Sequence, residues 1–308
     1  MFTVSTATNQ FLANLSNLEQ RIVTVQQQVS SGLSMENVSD DPDHVSELLQ
    51  VKANIAQNDQ MKTNLTTVQS ELGAASGAID SATTLMNSAL QIASQADNST
   101  TTTETRTQLA TQVQNIITQM YGIANTQFEG RYVFSGDDDQ VAPYTSVDLT
   151  SSTGMGTYQG SDVDRQVASP DGPNITISLS ASQIFDGNGG GVSTSVLQSL
   201  TSLYNDLTSN NVSALSVSAL STDSTNIQTA SNYLDAQQAQ YGDFQDQVSN
   251  ALTYQGQLDT QLQSQMSSLQ DADVVSAATT LQQDETEEQA ALQAQASLPT
   301  KTLFDYIG

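Results

Sequence analysis

The sequence lacks cysteine and tryptophan and has few basic residues. Without cysteine there is no disulfide framework, no thiolate metal site and no cysteine nucleophile. Seven Lys and Arg residues face 33 Asp and Glu residues, which gives a formal net charge of -26. Because such a chain is repelled by phosphate backbones and by anionic lipid surfaces, we expect neither a nucleic-acid nor a membrane partner.

Long apolar runs are also missing. No run approaches the roughly 20 residues of a membrane span. The opening stretch, MFTVSTATNQFLANLSNLEQ, has no basic region followed by an apolar core, so no cleaved secretory signal is expected. Hydrophobic residues make up 37% of the chain and aromatic residues 5%, which is little material for a large globular core. Long helices packed along narrow seams suit this composition better.

The first such seam begins near the N-terminus. Its apolar residues alternate in steps of four and three, as the a and d positions of a coiled coil do, and therefore require a partner helix: Phe11, Leu15, Leu18, Ile22, Val25 and Val29. Gly32 is expected to end this helix. Asp41 and Pro42 are expected to be the N-cap and the first residue of the next one.

The apolar pattern then resumes from Leu48 to Ala93 and predicts a helical rod of roughly 70 Å. A polar turn at 97–105 separates it from a shorter helical pattern, Leu109 to Ile123, which could fold back as an antiparallel partner. Helical patterns return from Val196 to Leu207 and from Ile227 to Leu269. After QDADV a last helix carries Leu281 and Leu292.

Between these helical arms, residues 137–192 change character. The stretch NITISLSASQIF alternates as a strand does, and SPDGP and DGNGGG are turn signals. The predicted fold class is therefore mainly α, a long antiparallel helical bundle or coiled-coil rod built from both chain ends, with a small β-rich domain inserted between the arms.

The polar clusters do not predict an active site. Asp40, Asp41, Asp43 and His44 match no metal-ligand spacing and are better explained by helix capping, and His44 is the only histidine. DGNGGG begins like a calcium loop, but Leu197 occupies the place of the final glutamate. The acids of DDD at 137–139 and DETEE at 284–288 are interpreted as solvated charge. We predict no catalytic residue, no cofactor and no metal.

Four stretches, in order, resemble a known family. They are QQQVSSGLSMENVSDDPDH, ANTQFEGRYVFSGDDDQVAPY, YQGSDVDRQV with the IF before DGNGG, and SLPTKTLFDYIG. The first resembles the joint between the first two helices of the bacterial flagellin superfamily. The second is similar to the A-N-T-x(3)-G-x-Y-x-F-x-G stretch of its hook-filament junction branch. The sequence departs from the family's pattern in the histidine after DDPD and in its low content of cations.

The resemblance implies a structural protein without enzymatic activity that forms the junction ring between hook and filament. Residues 1–45 with 265–308 would form a terminal coiled-coil region, disordered in the free monomer. Residues 46–136 with 193–264 would form the rod, and 137–192 an outer insert. To the seam of the first helix the resemblance adds further subunit-interface residues: Leu281, Leu292, Leu303, Phe304 and Ile307.

Two structural joints follow from the same motifs. The first contains Gly32, Asp40, Asp41 and Pro42. The second lies where the chain leaves the third helix: Gly130 and Gly136 would allow the turn, while Tyr132 and Phe134 would share one face of a short strand and cover the end of the bundle, with Tyr144 beside them.

The partners implied by the resemblance are copies of the chain in a ring, another hook-associated protein, flagellin subunits, and an export chaperone that binds the C-terminal region. The chain would be secreted through the flagellar export channel to the extracellular flagellum. Two alternatives remain open. A flagellin would share the terminal helices and the first joint, and a cytosolic coiled-coil adaptor would satisfy the seams alone.

Overall fold

The computed structural model describes residues 6–35, 42–97, 101–169, 172–187, 195–209 and 214–297. Within these ranges the chain forms seven α-helices and four short β-strands. This confirms the predicted fold class, mainly α with long helices from both ends of the chain. Among the described helices, none combines the length and the apolar character that a bilayer crossing demands.

The helices dominate the chain. Two of them, of 52 and 57 residues, would extend about 78 and 86 Å at 1.5 Å per residue. In chain order the helices are α1 (Thr6–Ser31), α2 (Val45–Ala96), α3 (Thr103–Ala124), α4 (Ala181–Phe185), α5 (Val196–Thr208), α6 (Ala214–Gln270) and α7 (Val274–Ser297).

The chain divides into two compact units. The terminal unit contains Met1–Asp59 and Gln257–Gly308, and the central unit contains Gln60–Gly256. In the terminal unit α1 packs against α7. The three-part division of the sequence analysis, and the disorder of the free ends that the resemblance implies, stay predictions.

The core of the central unit follows a seven-residue repeat on its two long helices. On α2 the residues at this spacing are fully buried: Leu65, Leu72, Ile79, Met86 and Ala93. On α6 the same holds for Leu220, Ile227, Leu234, Tyr241 and Val248. A sustained repeat of seven keeps one narrow stripe on one side of a helix, which is the packing expected of coiled-coil helices.

The strands form two small antiparallel sheets. β1 (Gln127–Phe128) pairs with β2 (Arg131–Tyr132), and β3 (Arg165–Val167) pairs with β4 (Ile175–Ser178), with a register irregularity between Arg165 and Gln166. The strand expected over NITISLSASQIF is therefore only partly correct, because its second half is α4.

Local capping explains that difference. The Ser180 hydroxyl accepts a hydrogen bond from the Gln183 N–H, and the Gln183 side chain accepts one from the Ser180 N–H. This capping box satisfies the first free donors of a helix, so the chain turns into α4 where the alternating pattern predicted a strand. The start of α2 also differs from expectation: Pro42 lies in a turn, and the helix begins at Val45.

Asp223 is a buried carboxylic acid of the central unit. The Asp223 residue on α6 is 3% exposed and hydrogen-bonds to Asp206 on α5. Burial, followed by the hydrogen bond to and the charge of Asp206, raises the pKa of Asp223 from 3.8 to about 8. The folded chain therefore keeps a proton at neutral pH that the unfolded chain loses.

This proton makes stability depend on pH. Between the two pKa values folding takes up a proton, so the free energy of unfolding should fall as the pH rises from about 4 to about 8, by at most about 1.4 kcal/mol per pH unit. Asp223→Asn should flatten this dependence. The measurement is urea unfolding at several pH values by tyrosine fluorescence, since eight of the nine tyrosines lie in the central unit. Asp235→Asn, at an exposed position of α6, is the control; equal profiles for both variants would contradict the assignment.

Candidate assembly interface

The seam predicted on α1 lies on the face of that helix that is covered within the terminal unit. Leu18 and Ile22 are buried, at 9% exposure each. The other four seam residues are only half-buried: Phe11, Leu15, Val25 and Val29. Since α1 packs against α7, this face is the one that α7 covers in part.

The partner stripe on α7 has little apolar surface. Its covered positions also alternate in steps of four and three: Ala277, Leu281, Asp284, Glu288 and Ala291. Of the two residues predicted here, Leu281 is half-buried in this stripe, whereas Leu292 is 48% exposed and lies outside it. Leu303, Phe304 and Ile307 lie outside the described residues. Because this stripe offers only two alanines and one leucine as apolar side chains, the apolar seam of α1 remains partly uncovered.

The stripe contains an ion pair, not expected from the sequence, between the buried Asp284 and the exposed Arg21. The Asp284 side chain is 4% exposed, and the Arg21 Nη2 lies 2.5 Å from its Oδ1. The Arg21 Nε donates a longer hydrogen bond of 3.4 Å to Oδ2, and Nη2 also lies 3.4 Å from Glu287 Oε2. These contacts with Asp284, and secondarily with Glu287, raise the pKa of Arg21. The interpretation of DETEE as solvated charge is therefore wrong for Asp284; its step of seven from Ala277 was the available signal.

The joint after α1 is hydrogen-bonded to the break between α6 and α7. Gly32 has a φ of +73°, which ends the helix in the left-handed region that favours glycine. Its carbonyl accepts from the Ala272 N–H at 2.8 Å, and the Ser34 N–H donates to the Gln270 carbonyl at 2.7 Å. The Asp273 side chain then caps α7. Because these bonds join the end of α1 to the start of α7, the two helices run antiparallel.

The rest of this predicted joint is only partly described. Asp40 and Asp41 lie outside the described residues, and Pro42 lies in the turn before α2. Asp43 and His44 are exposed in the same turn, and the His44 carbonyl accepts the first hydrogen bond of α2, from the Leu48 N–H at 3.0 Å. No group of three or more potential metal-ligating side chains occurs in the part of the chain that the structure describes.

The terminal unit also exposes apolar side chains outside the α1–α7 seam. Leu12 and Val23 on α1 are each 54% exposed, and they are 11 residues apart, or about three helical turns, on one face. Six of the nine large apolar side chains that are exposed among the described residues belong to the terminal unit, although it is the smaller one: Leu12, Val23, Leu49, Val274, Val275 and Leu292. Exposed apolar surface is thus concentrated on the helices from the two chain ends.

The second joint is held by a pair of hydrogen bonds between Asn125 and Tyr144. The Asn125 Nδ2 donates to the Tyr144 carbonyl, and the Tyr144 N–H donates to Asn125 Oδ1, each at 3.0 Å. The buried Tyr144 hydroxyl donates to Asp186 Oδ2 at 2.8 Å. Burial raises the pKa of both Tyr144 and Asp186. The first acid of the DGNGGG stretch is therefore a hydrogen-bond acceptor for Tyr144.

Phe134 and Tyr132 are separated by the structure. Phe134 is fully buried, with edge-to-face ring contacts to Phe185 at 5.7 Å and to Tyr241 at 6.4 Å. Tyr132, in β2, is only half-buried, while Val133 is buried beside Phe134. The expectation that Tyr132 and Phe134 share one strand face is wrong, because the strand ends at Tyr132 and the chain then turns into the core.

Arginine side chains connect the insert to the helices of the central unit. Arg165 on β3 forms an ion pair with the buried Glu71 of α2 and another, at 3.2 Å, with Asp139. Arg131 lies 3.7 Å from the same Asp139 carboxylate. Burial lowers the pKa of Arg165. Asp139, from the DDD stretch interpreted as solvated charge, is therefore half-buried and paired.

Two carboxylic acids, Asp206 and Asp223, meet in the central unit. They share a hydrogen bond; Asp223 is 3% exposed and Asp206 is half-buried. A catalytic pair needs access to substrate and two distinguishable roles. The buried Asp223 of this pair keeps its proton at neutral pH.

Comparison with known proteins found a matching family model and several solved structures of similar fold. Residues 3–139 match the model of the bacterial flagellin N-terminal helical region. The fold is similar to FlgL from Xanthomonas campestris, at a TM-score of 0.58 and 17% identity over 71% of this chain and 99% of that one. It is also similar to FlgL from Bacillus cereus, at a TM-score of 0.56 and 18% identity over 70% of this chain and 98% of that one.

A third solved structure also has a similar fold. The flagellar junction protein FlgL from Legionella pneumophila gives a TM-score of 0.55 and 15% identity, over 66% of this chain and 99% of that one. At such identities the likeness concerns the fold. A search of curated protein sequences gave no significant match.

The two glycines of the second joint make a testable pair. Gly130 has a φ of +78° with open space around it, and Gly136 has a φ of +66° where an added Cβ would overlap the Ser161 carbonyl oxygen. Gly130→Ala should cost about 1 kcal/mol of unfolding free energy from backbone strain alone. Gly136→Ala should cost about 3 kcal/mol, because steric overlap adds to the strain. Urea unfolding by tyrosine fluorescence measures both, and equal losses would contradict the close approach at Gly136.

Proposed function

We propose that this chain, whose N-terminal region matches that of bacterial flagellins, is a structural subunit of the flagellum that forms the junction between hook and filament. The observation that carries the proposal is the concentration of exposed apolar side chains on the helices from the two chain ends. A helix pair that leaves apolar faces uncovered needs neighbours, and a tubular assembly supplies neighbours on several sides.

Burial of these faces would drive assembly. Each Å² of apolar surface removed from water contributes roughly 25 cal/mol. Two surfaces would be used: the half-covered seam of α1, with Phe11 and Leu15, and the outward face with Leu12 and Val23. The neighbours in this proposal are copies of the chain in a ring, a second hook-associated protein and flagellin.

Export and location belong to the same proposal. The chain would leave the cell through the flagellar export channel, after a chaperone has bound its C-terminal region. The absence of cysteine supports this route, because a chain without thiols passes from a reducing to an oxidising compartment without disulfide exchange. We further propose that the chain has no catalytic role; of the two acids that share a hydrogen bond, Asp223 is buried.

The outward face of α1 gives the direct test. In a strain that relies on this chain, Leu12→Asp with Val23→Asp should preserve helix content, because both side chains are exposed, yet should abolish attached filaments and swimming. Val163→Asp changes a side chain of similar exposure, 59%, in the central unit and is the matched control. Normal filaments on cells with the α1 double variant would refute the proposed interface.

A second measurement separates the junction role from that of a flagellin. A purified flagellin should polymerise alone into long filaments, whereas a junction subunit should not. Electron microscopy of the concentrated, purified chain therefore distinguishes them. Long filaments of this chain alone would replace the junction assignment by a filament assignment.

A further inference from the structure

We propose that Arg21 and Asp284 determine which helix pairs with α7: the buried Asp284 carboxylate admits only a helix that presents a cation at its level, and α1 of the same chain presents Arg21. The inference concerns one chain and goes beyond the proposed assembly function. It would hold for any assembly in which these two helices take part.

The burial of Asp284 is the first step. Its side chain is 4% exposed, in a stripe whose neighbouring positions are Leu281 and Glu288. Two nitrogens of Arg21 contact its two oxygens, at 2.5 and 3.4 Å. A covered carboxylate is less favourable where no cation faces it, so a partner helix that lacks one would pair less stably with α7.

Apolar burial alone does not select the partner. The stripe on α7 offers Ala277, Leu281 and Ala291, which fit many apolar helix faces. A polar residue at a single core position of a coiled coil lowers stability but specifies the pairing. Asp284 occupies such a position, at a step of seven from Ala277.

Charge excludes the simplest wrong partner, a second α7. The helix has four acidic residues and no Lys or Arg: Asp284, Glu285, Glu287 and Glu288. Two α7 helices facing each other would bring these acids together, and like charges at a helix interface oppose association. Arg21, in contrast, is the one basic residue in the described sequences of α1 and α7.

The helix pair α1–α7 would then be held together at two positions along its length. Backbone hydrogen bonds join Gly32 to Ala272 at one level. Arg21 lies 11 residues, or about 16 Å of helix, away from Gly32 along α1. Pairing the helices at that second level depends on side chains, because no backbone bond of the joint reaches it.

Cross-linking tests this directly, because the chain has no natural thiol. Thr24→Cys and Thr280→Cys place two exposed thiols beside the same groove as Arg21 and Asp284. A short bis-maleimide should link them within one purified chain, as seen by mass spectrometry, because α1 packs against α7 within the terminal unit. Disorder of both chain ends in the free monomer, which the resemblance implies, would instead give no link. Adding Arg21→Gln should lower the intramolecular yield about tenfold. Lys52→Gln, which removes another positive charge of the terminal unit, should leave it unchanged.

A second variant separates specificity from stability. Arg21→Leu with Asp284→Leu replaces the ion pair by apolar side chains. The helices should still associate, because apolar side chains remain at the interface. The intramolecular yield should persist, but links between chains and dimers in light scattering should now appear.

Three results would overturn the proposal. They are no intramolecular link in the chain with the two cysteines alone, an unchanged yield with Arg21→Gln, or a strictly monomeric leucine variant. None of these results depends on filament attachment, so failure here is distinct from failure of the junction assignment.

Discussion

The structure depends on the narrowness of its helical seams. A stripe of apolar residues at steps of four and three covers only one side of a helix, so each helix is stable only against another. The central unit satisfies this requirement internally, with fully buried positions every seven residues on α2 and α6. The terminal unit satisfies it incompletely, because α7 offers alanines and acids to the leucine, isoleucine and valine residues of α1.

That difference assigns different tasks to the two units. The central unit is closed by its own core, and its insert is tied to the helices by Phe134, by the Asn125–Tyr144 hydrogen bonds and by Arg165 with Glu71. The terminal unit retains exposed apolar faces and the ion pair between Arg21 and the buried Asp284. A folded body with unsatisfied helices at its chain ends is suited to assembly, because association then adds burial without rearranging the core.

Arginines of this cation-poor chain contact carboxylates. Arg21 compensates Asp284, while Arg131 and Arg165 both contact Asp139. With a formal net charge of -26, a paired arginine also removes repulsion among nearby acids. In the proposed assembly, contacts between neighbours would therefore rely on apolar side chains more than on salt bridges.

The sequence by itself determined the helices and their seams, because a seven-residue apolar repeat has one interpretation over many turns. It also indicated Gly130 and Gly136, since only glycine adopts positive φ without strain. It did not determine that Asp284 is buried, or that Phe134 enters the core while Tyr132 does not. Those outcomes depend on which distant side chain arrives beside each residue, and Arg21, Phe185 and Tyr241 are brought there only by the tertiary structure.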